Sequence, residues 1–298
     1  MPRVSAVIPT HNRAGEVGRA IQSVLNQTFQ DFEIVVVDDA SEDDTEKTVR
    51  GFEDRRIRYI RHAVGKGDAA ARNTGIRNAT GEYIAFLDDD DEWLSEKLRL
   101  QVQFCEAGGP ELGGVHTARW TIITATGKRS LLSLAGRSPN DLNRNWITTS
   151  SMLLRRRCFE SVGLFDERMP STSDYDLWIR ISQEFRLGYI GDPLVNYYVH
   201  ENGLSRNPAR KIRGLEMLVA KHRDFFATSV TDNSRRHRKM GILYCRVGEM
   251  KEARATFWQA ARIKPWEARN YFYLCLSLFG PRIFGKVKAF KDRLVGGL

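Results

Sequence analysis

The first third of the chain alternates between short apolar runs and longer segments with apolar side chains at helical spacing. The apolar runs predict strands at 4–9, 32–39, 57–62 and 82–89. The longer segments predict helices at 14–27, 41–52, 68–79 and 93–104, the second with Ser41 as its N-cap. Because a helix follows each strand, we expect an α/β fold with a mainly parallel sheet covered by helices on both faces.

The pattern loosens after residue 108. Residues 165–183 predict a loop and an amphipathic helix, and residues 240–280 resemble one tetratricopeptide-like helix hairpin without a second copy. We therefore expect two regions. They are an α/β region with halves at 1–107 and 108–205, and a helical region at 206–298.

Charge separates these two regions. The composition, with 42% hydrophobic and 28% charged residues, is that of a soluble globular protein. Residues 1–205 hold 25 Lys or Arg against 30 Asp or Glu, whereas residues 206–298 hold 21 against 7. The basic helical region either exposes a solvated helix surface or contacts an anionic membrane. We expect no nucleic-acid partner.

The four cysteines are far apart and form no CxxC pair, which argues against structural zinc and a disulfide framework. A reducing compartment is therefore expected. The start of the chain lacks the pattern of a signal peptide, and no apolar run approaches the about 18 residues of a membrane span. These features predict a cytoplasmic protein, with or without peripheral contact at the inner face of the cell membrane.

Polar clusters stand where three of the predicted strands end. Strand one runs into PTHNR, strand two into DDASEDD and strand four into DDDDE. In open α/β sheets, ligands bind beyond the carboxyl ends of the strands. We therefore expect these three clusters to converge on one cleft.

The acidic run Asp88–Asp91 has three explanations: a divalent-cation site, an acid/base pair, or a solvated turn. An EF-hand is excluded because Trp93 stands where that loop requires glycine. Asp88 and Asp90 alternate along the chain, so on an extended backbone they point the same way. Two such carboxylates suit a magnesium or manganese ion shared with a diphosphate. The chain contains neither GxxxxGK nor GxGxxG, so a dinucleotide cofactor is not predicted.

Five stretches, in order, resemble the inverting family 2 glycosyltransferases of the GT-A fold. They are VSAVIPTHNR, FEIVVVDDASEDDT, AARNTG, GEYIAFLDDDDEW and SDYDLWIRI, and the resemblance covers about residues 3–205. It implies a fold that holds a nucleotide-diphosphate sugar.

The resemblance also implies nucleotide-binding residues. Asp39 would recognise an N–H of a uracil-type base, and Arg72 would approach the base or the diphosphate. The alternative role for Asn12 is that of a helix N-cap. The alternative for Arg72 is that it is a surface arginine of a helix. The full implied set is Thr10, Asn12, Arg13, Asp39, Arg72 and, toward a sugar hydroxyl, Asp89.

The resemblance likewise implies a metal site for Mn²⁺ or Mg²⁺. Asp90 would contact the ion directly and Asp88 would be the other half of the motif, with the adjacent Asp91 left open. His200 lies where related enzymes carry a histidine near the diphosphate or metal. The ion would offset charge on the departing diphosphate.

Asp174 corresponds to the family's catalytic base, which removes a proton from the acceptor hydroxyl. The chain departs from the family pattern in having Ser173 where glutamate is common. A helix cap at Asp174 is the structural alternative, and Asp176 is the second candidate base. The role of Arg180 is open: its side chain either faces the cleft or pairs with a nearby carboxylate.

Together these features predict a metal-dependent inverting glycosyltransferase that uses a UDP- or TDP-sugar and a carbohydrate or lipid-linked acceptor. A sugar-nucleotide or phosphate transferase is one alternative, although such enzymes usually carry a glycine-rich basic loop after strand one. A non-catalytic module that binds through the basic helical region is the other. In that region, Ile283, Phe284, Val287 and Phe290 stand among Lys286, Lys288 and Lys291, as in an interfacial helix. A packing or oligomer element is equally compatible.

Overall fold

A computed structural model describes residues 1–134, 138–139, 141–143, 145–200 and 207–295, with the side chains of 289–295 excepted. The strands are β1 Val4–Thr10, β2 Phe32–Asp38, β3 Ile57–Arg61, β4 Tyr83–Phe86, β5 Glu92–Trp93, β6 Leu112–Ile123, β7 Arg129–Leu132, β8 Leu153–Arg155 and β9 Arg186–Val199. The α-helices of the α/β part are α1 Val17–Leu25, α2 Thr45–Arg50, α3 Asp68–Asn78, α4 Lys97–Ala107, α5 Arg156–Val162 and α6 Ser173–Glu184.

The predicted alternation of strands and helices is confirmed in the first half. β1 lies between β2 and β4, β3 pairs with β2, and all three pairings are parallel. Every residue of β1, β2 and β4 is buried, as apolar runs between two helical layers require. The N-cap prediction for Ser41 is wrong, because α2 begins at Thr45 and its N-cap is Asp44.

The second half extends this sheet with mixed pairings. β8 joins β4 and β6 in antiparallel fashion, and β6 runs parallel to the long strand β9. β5 pairs antiparallel with β9, with Glu92 opposite Asn196. The acidic run therefore lies in the short connection between β4 and β5, and the two halves share one sheet.

Clustering of the chain gives two compact units, Met1–Arg168 with Ser173–Asn202 and Met169–Thr172 with Gly203–Leu298. The second unit is helical, with α7 Pro208–Lys221, α8 Arg223–Ala227, α9 Val230–Val247, α10 Met250–Ile263, α11 Ala268–Ser277 and α12 Gly280–Val295. Residues 169–172 pack with this unit, and the Ser171 hydroxyl donates to the carbonyl of Arg210 at 3.2 Å.

Aromatic side chains form part of the core of the helical unit. Phe257 stacks on Tyr273 and on Phe284, with ring centroids 5.8 and 6.1 Å apart. Phe284 is buried, so its predicted place on an interfacial face of the last helix is wrong. The side chains of Phe290 and Lys291, which completed that prediction, lie outside the described residues. Among the helices that the structure describes, none is both long and apolar enough to cross a bilayer.

Candidate active site

The four aspartates form a turn. β4 ends at Phe86, and the amide of Asp91 donates to the carbonyl of Asp88 at 3.0 Å. The expectation of an extended backbone with alternating side chains is therefore wrong. The turn divides the four carboxylates among several partners.

Asp91 is a structural member of this turn. It is fully buried, and its carboxylate accepts a hydrogen bond from the Ser150 hydroxyl at 2.5 Å and one from the amide of Tyr198 at 3.0 Å. Burial, with Asp88 and Asp90 nearby, raises the pKa of Asp91 well above its usual value. Asp91 therefore ties the turn to β9 and to the short 3-10 helix Thr149–Ser151, and is an unsuitable metal ligand.

Asp88 forms an ion pair with a buried arginine. Nη2 of Arg72 lies 2.6 Å from Oδ1 of Asp88, and Nη1 of Arg72 binds Asp68 one helical turn away on α3. Arg72 is only 5% exposed, so the alternative of a surface arginine is wrong. Burial lowers the pKa of Arg72, but Asp68 and Asp88 outweigh it and raise the pKa overall. The guanidinium is therefore a permanent charge beside the turn.

Asp89 and Asp90 share a second arginine. Nε of Arg13 lies 3.8 Å from Oδ1 of Asp89, and its Nη2 lies 3.8 Å from Oδ2 of Asp90. Burial raises the pKa of Asp89 to about 7, against a lowering effect of the Thr10 side chain. Burial and the charge of Asp88 also raise the pKa of Asp90. In this part of the turn, the carboxylates of Asp89 and Asp90 therefore share the positive charge of Arg13.

The residues around Asp90 fit a divalent cation. Nε2 of His200 lies 3.6 Å from Oδ2 of Asp90, and this nitrogen is buried without a hydrogen-bond partner among the described residues. An imidazole nitrogen and carboxylate oxygens are ligands that Mn²⁺ accepts. The described residues contain no cluster of three or more His, Cys, Asp or Glu side chains that could hold a metal by itself. The set thus fits an ion that takes its other ligands from a diphosphate and water.

Asp39 lies at the end of β2 within a network of donors. Its carboxylate accepts the amides of Lys66 and Gly67 at 2.8 and 2.7 Å and faces Nδ1 of His62 at 2.7 Å. Burial raises the pKa of Asp39, but these hydrogen bonds outweigh it and leave the pKa below its usual value. Because the Asp39 amide donates to the carbonyl of Thr10 at 2.8 Å, this ionised carboxylate stands beside the end of β1.

Asn12 shapes the loop after β1. It has a positive φ of 53°, and its side-chain oxygen accepts the amide of Glu42 at 2.8 Å. The backbone amide of Asn12 donates to the Ser41 hydroxyl at 2.8 Å. α1 begins only at Val17, so the alternative role of Asn12 as its N-cap is wrong.

Asp174 lies in the first turn of α6, close to the charge of Arg72. Burial raises its pKa, against lowering effects of the Tyr175 amide, Arg72 and the Asn145 side chain. Asp176, the alternative base, is fully buried and bound by Arg180 at 2.9 Å. This pair decides the open role of Arg180, which is structural, and it leaves Asp174 as the carboxylate of this helix suited to proton transfer.

Sequence reasoning missed several residues that hold the site together. His62, Ser150 and Asn145 support Asp39, Asp91 and Asp174, as described above. Arg119 on β6 lies 3.9 Å from the ring of Tyr197, with Nε and Nη1 buried and without a hydrogen-bond partner among the described residues. These residues have no motif in the sequence, because each depends on a tertiary contact.

Comparisons with known proteins bear on the family and the fold. A family model described as "Glycosyl transferase family 2" matches residues 5–161, which is more than half of the chain. An uncharacterized glycosyltransferase of Rickettsia bellii is 33% identical over 219 residues, covering 72% of this chain and 31% of the relative. This chain thus spans about a third of the length of the first such relatives. An Escherichia coli UDP-Glc:alpha-D-GlcNAc-diphosphoundecaprenol beta-1,3-glucosyltransferase, WfgD, is 42% identical over 99 residues, 33% of this chain and 39% of that protein.

Solved structures support the fold. Staphylococcus aureus TarS 1-349 in complex with UDP-GlcNAc matches with a TM-score of 0.65 at 15% identity, covering 96% of this chain and 92% of that one. The mannosyltransferase PcManGT from Pyrobaculum calidifontis, in complex with GDP-Man and Mn²⁺, matches with a TM-score of 0.62 at 18% identity, covering 98% and 88%. The GT-A-type fold predicted from the sequence is confirmed. The chain belongs to glycosyl transferase family 2.

Proposed function

We propose that the chain is an inverting glycosyltransferase that moves a sugar from a UDP-sugar to a hydroxyl group of a lipid-linked saccharide. One observation carries the proposal: a buried Arg72 pairs with the acidic turn at Asp88, and its charge also acts on Asp174, where it opposes the rise in pKa that burial causes. Arg72 thus lies near both the acidic turn, which would bind a metal, and a separate carboxylate, which would accept a proton. A metal-assisted inverting transfer uses both.

On the donor side, Asp39 would accept a hydrogen bond from the uracil N–H. Its carboxylate is ionised and held in place, and a carboxylate with about four lone-pair sites can accept beyond the three contacts described. Asn12 would shape the pocket rather than bind the base, because its side chain is engaged with Glu42. The remaining contacts to the nucleotide, diphosphate and sugar are proposed for Thr10, Arg13, Arg72 and Asp89.

Asp90 and His200, with Asp88, would hold Mn²⁺ or Mg²⁺ together with the diphosphate. The unpartnered Nε2 of His200 beside Asp90 supports this assignment. When bound, the ion supplies a positive charge that stabilises the departing diphosphate. Arg13 and Arg72 supply further positive charge from the chain itself.

On the acceptor side, Asp174 would act as general base. It takes the hydroxyl proton while the acceptor oxygen bonds to the anomeric carbon, and the bond from that carbon to the diphosphate oxygen breaks on the opposite face. Burial raises the pKa of Asp174, which makes the carboxylate a stronger base than one in water. The charge of Arg72 opposes this rise and so favours the ionised form of Asp174 before the reaction.

The choice of donor and acceptor rests on the relatives. WfgD and a Campylobacter jejuni enzyme are named as beta-1,3-glucosyltransferases whose acceptors are attached to undecaprenol through a diphosphate. UDP-glucose and a saccharide on a polyprenyl diphosphate are therefore the first substrates to test. Such an acceptor would bring the enzyme to a membrane surface.

The test is a donor screen on the purified chain. UDP-glucose, UDP-GlcNAc, GDP-mannose and TDP-glucose are titrated with Mn²⁺, Mg²⁺ or EDTA, and binding is measured by calorimetry. Transfer to GlcNAc-diphospho-lipid is then followed by nuclear magnetic resonance, which reports the anomer formed. We expect metal-dependent UDP-sugar binding and a β-linked product from the α-linked donor. A product with retained configuration, or the absence of any donor binding with either metal, would overturn the proposal.

A further inference from the structure

The helix α11 has an apolar stripe on its exposed side. Tyr271, Phe272, Cys275, Leu278 and Phe279 follow helical spacing through this helix and just beyond its end, and all are exposed. Leu278 and Phe279 are 68% and 65% exposed. We call these five residues the α11 stripe.

The α11 stripe is not needed to hold its helix in place. The opposite side of α11 already packs, with Asn270, Tyr273, Leu276 and Ser277 buried. The side-chain Nδ2 of Asn270 donates to the Ser234 hydroxyl and to the carbonyl of Ala260, each at 2.9 Å. The stripe is therefore additional apolar surface, and contiguous surface of this kind usually marks an interaction site.

The charge around the stripe is predominantly positive, with one acid at its edge, Glu267, whose Oε1 pairs with Nε of Arg269 at 2.5 Å. Residues 268–288 contain Arg269, Arg282, Lys286 and Lys288 and no Asp or Glu. Arg269, Arg282 and Lys286 are exposed, as is Ile283 between the latter two. An apolar stripe with aromatic side chains and a cationic border suits the interface of a bilayer with anionic lipids.

From these observations we propose that the α11 stripe docks the chain on an anionic lipid bilayer. The inference deepens the proposed function, since a lipid-linked acceptor lies in a membrane, and it moves the contact from the sequence-predicted α12 to α11. A second copy of the chain is a poorer occupant, because a two-fold contact through the stripe would bring the arginines and lysines of both copies together. A bilayer of anionic lipids instead offers the opposite charge.

Co-sedimentation with vesicles tests the docking without any sugar transfer. The full chain is mixed with vesicles of phosphatidylcholine alone or with one quarter phosphatidylglycerol. We expect binding to the anionic vesicles, weakened by high salt, and little binding to the neutral ones. Replacing Leu278 and Phe279 together by serine is expected to weaken binding by about tenfold or more. The matched control is Val230→Ser, which removes another exposed apolar side chain of the same helical unit and is expected to change binding less than about twofold.

A second pair of substitutions separates charge from apolar contact. Arg282→Glu with Lys286→Glu should weaken binding to anionic vesicles by about fivefold or more and reduce its salt dependence. Far-UV circular dichroism and the thermal midpoint establish that each variant is folded. Because vesicle binding needs neither donor nor acceptor, failure of the glycosyltransferase proposal leaves this test readable.

Three results would overturn the inference. The first is a wild-type chain that does not bind anionic vesicles. The second is a folded Leu278→Ser/Phe279→Ser variant that binds them like the wild type. The third is a wild-type dimer, by light scattering, that the same double substitution converts to monomers, which would identify the stripe as a subunit interface.

Discussion

Nη2 of Arg72 and Oδ1 of Asp88 lie 2.6 Å apart, and they join a helix of the first half of the sheet to the acidic turn after β4. The same guanidinium binds Asp68, and its charge opposes the rise in the pKa of Asp174 that burial causes. One buried cation is thus shared by a carboxylate of the proposed metal site and the proposed base. Its position explains how several carboxylates coexist in one place: their charges are divided among Arg72, Arg13 and, in the proposed complex, a metal ion.

This arrangement makes Arg72→Lys a sensitive substitution. Lysine keeps the charge but lacks the planar fork that binds Asp68 and Asp88 together. We expect the dissociation constant for UDP-glucose to rise about tenfold, which is about 1.4 kcal/mol. Calorimetry measures this dissociation constant. The matched control is Arg77→Lys, because Arg77 lies on the same helix as Arg72 and forms an exposed ion pair with Glu167. Unchanged donor binding and unchanged turnover in Arg72→Lys would mean that a positive charge suffices there and that the fork geometry is unimportant.

Two carboxylates of α6 should respond differently to the loss of their charge. In Asp174→Asn, we expect turnover to fall by about 10²–10⁴-fold while UDP-glucose still binds within about twofold, because general-base catalysis is lost and the donor site is intact. Steady-state rates and calorimetry check both parts. If Asp174→Asn retains near wild-type turnover, Asp174 is not the base.

Asp176→Asn is the companion variant, with its main effect expected on stability. Asp176 is fully buried and paired with Arg180, whose guanidinium also donates to the carbonyl of Leu164 at 2.7 Å. Removing the partner of a buried charge costs about 3 kcal/mol or more. Denaturant unfolding measures this loss. A stable Asp176→Asn protein with abolished turnover would instead return Asp176 to the list of candidate bases.

The sheet and the strand ends of the first half could be predicted because the relevant signals are local. Apolar runs define β1, β2 and β4, and polar residues follow each of them in the chain. The division of labour among the four aspartates could not be predicted. Asp91 is buried only because Ser150 and the amide of Tyr198, distant in sequence, come to it. Likewise, the burial of Phe284 depends on Phe257 and Tyr273, which the periodicity of α12 alone does not reveal.

The raised pKa of Asp89 predicts a pH dependence of donor binding. Because the pKa is about 7, Asp89 is mostly protonated at pH 6 and mostly ionised at pH 8. An ionised Asp89 repels the diphosphate, so the weaker UDP-glucose binding that remains in EDTA should be tighter at pH 6 than at pH 8, by up to about tenfold. UDP-glucose suits the test because its diphosphate does not titrate near neutral pH.

Asp89→Asn should remove most of this dependence, as calorimetry at several pH values would measure. Asp90, Arg13 and, beside Asp90, His200 also face this part of the turn. His200→Gln is therefore the matched control, and it should retain most of the slope. An Asp89→Asn protein with the wild-type slope would assign the dependence to another group.

The packing of α3 against β1 gives a prediction about stability alone. A Cβ added at Gly75 would lie 2.2 Å from Cγ1 of Val7, in the middle of a fully buried strand. Gly75→Ala should therefore force α3 away from the sheet and cost about 1–3 kcal/mol, despite the higher helix propensity of alanine. In Gly18→Ala on α1, the nearest atom, Cγ2 of Thr48, is 3.4 Å away, so this control should be neutral or slightly stabilising. Because α3 also carries Arg72, the Gly75→Ala protein should lose donor affinity along with stability. An equal thermal midpoint for the two variants would show that α3 can shift on the sheet without cost.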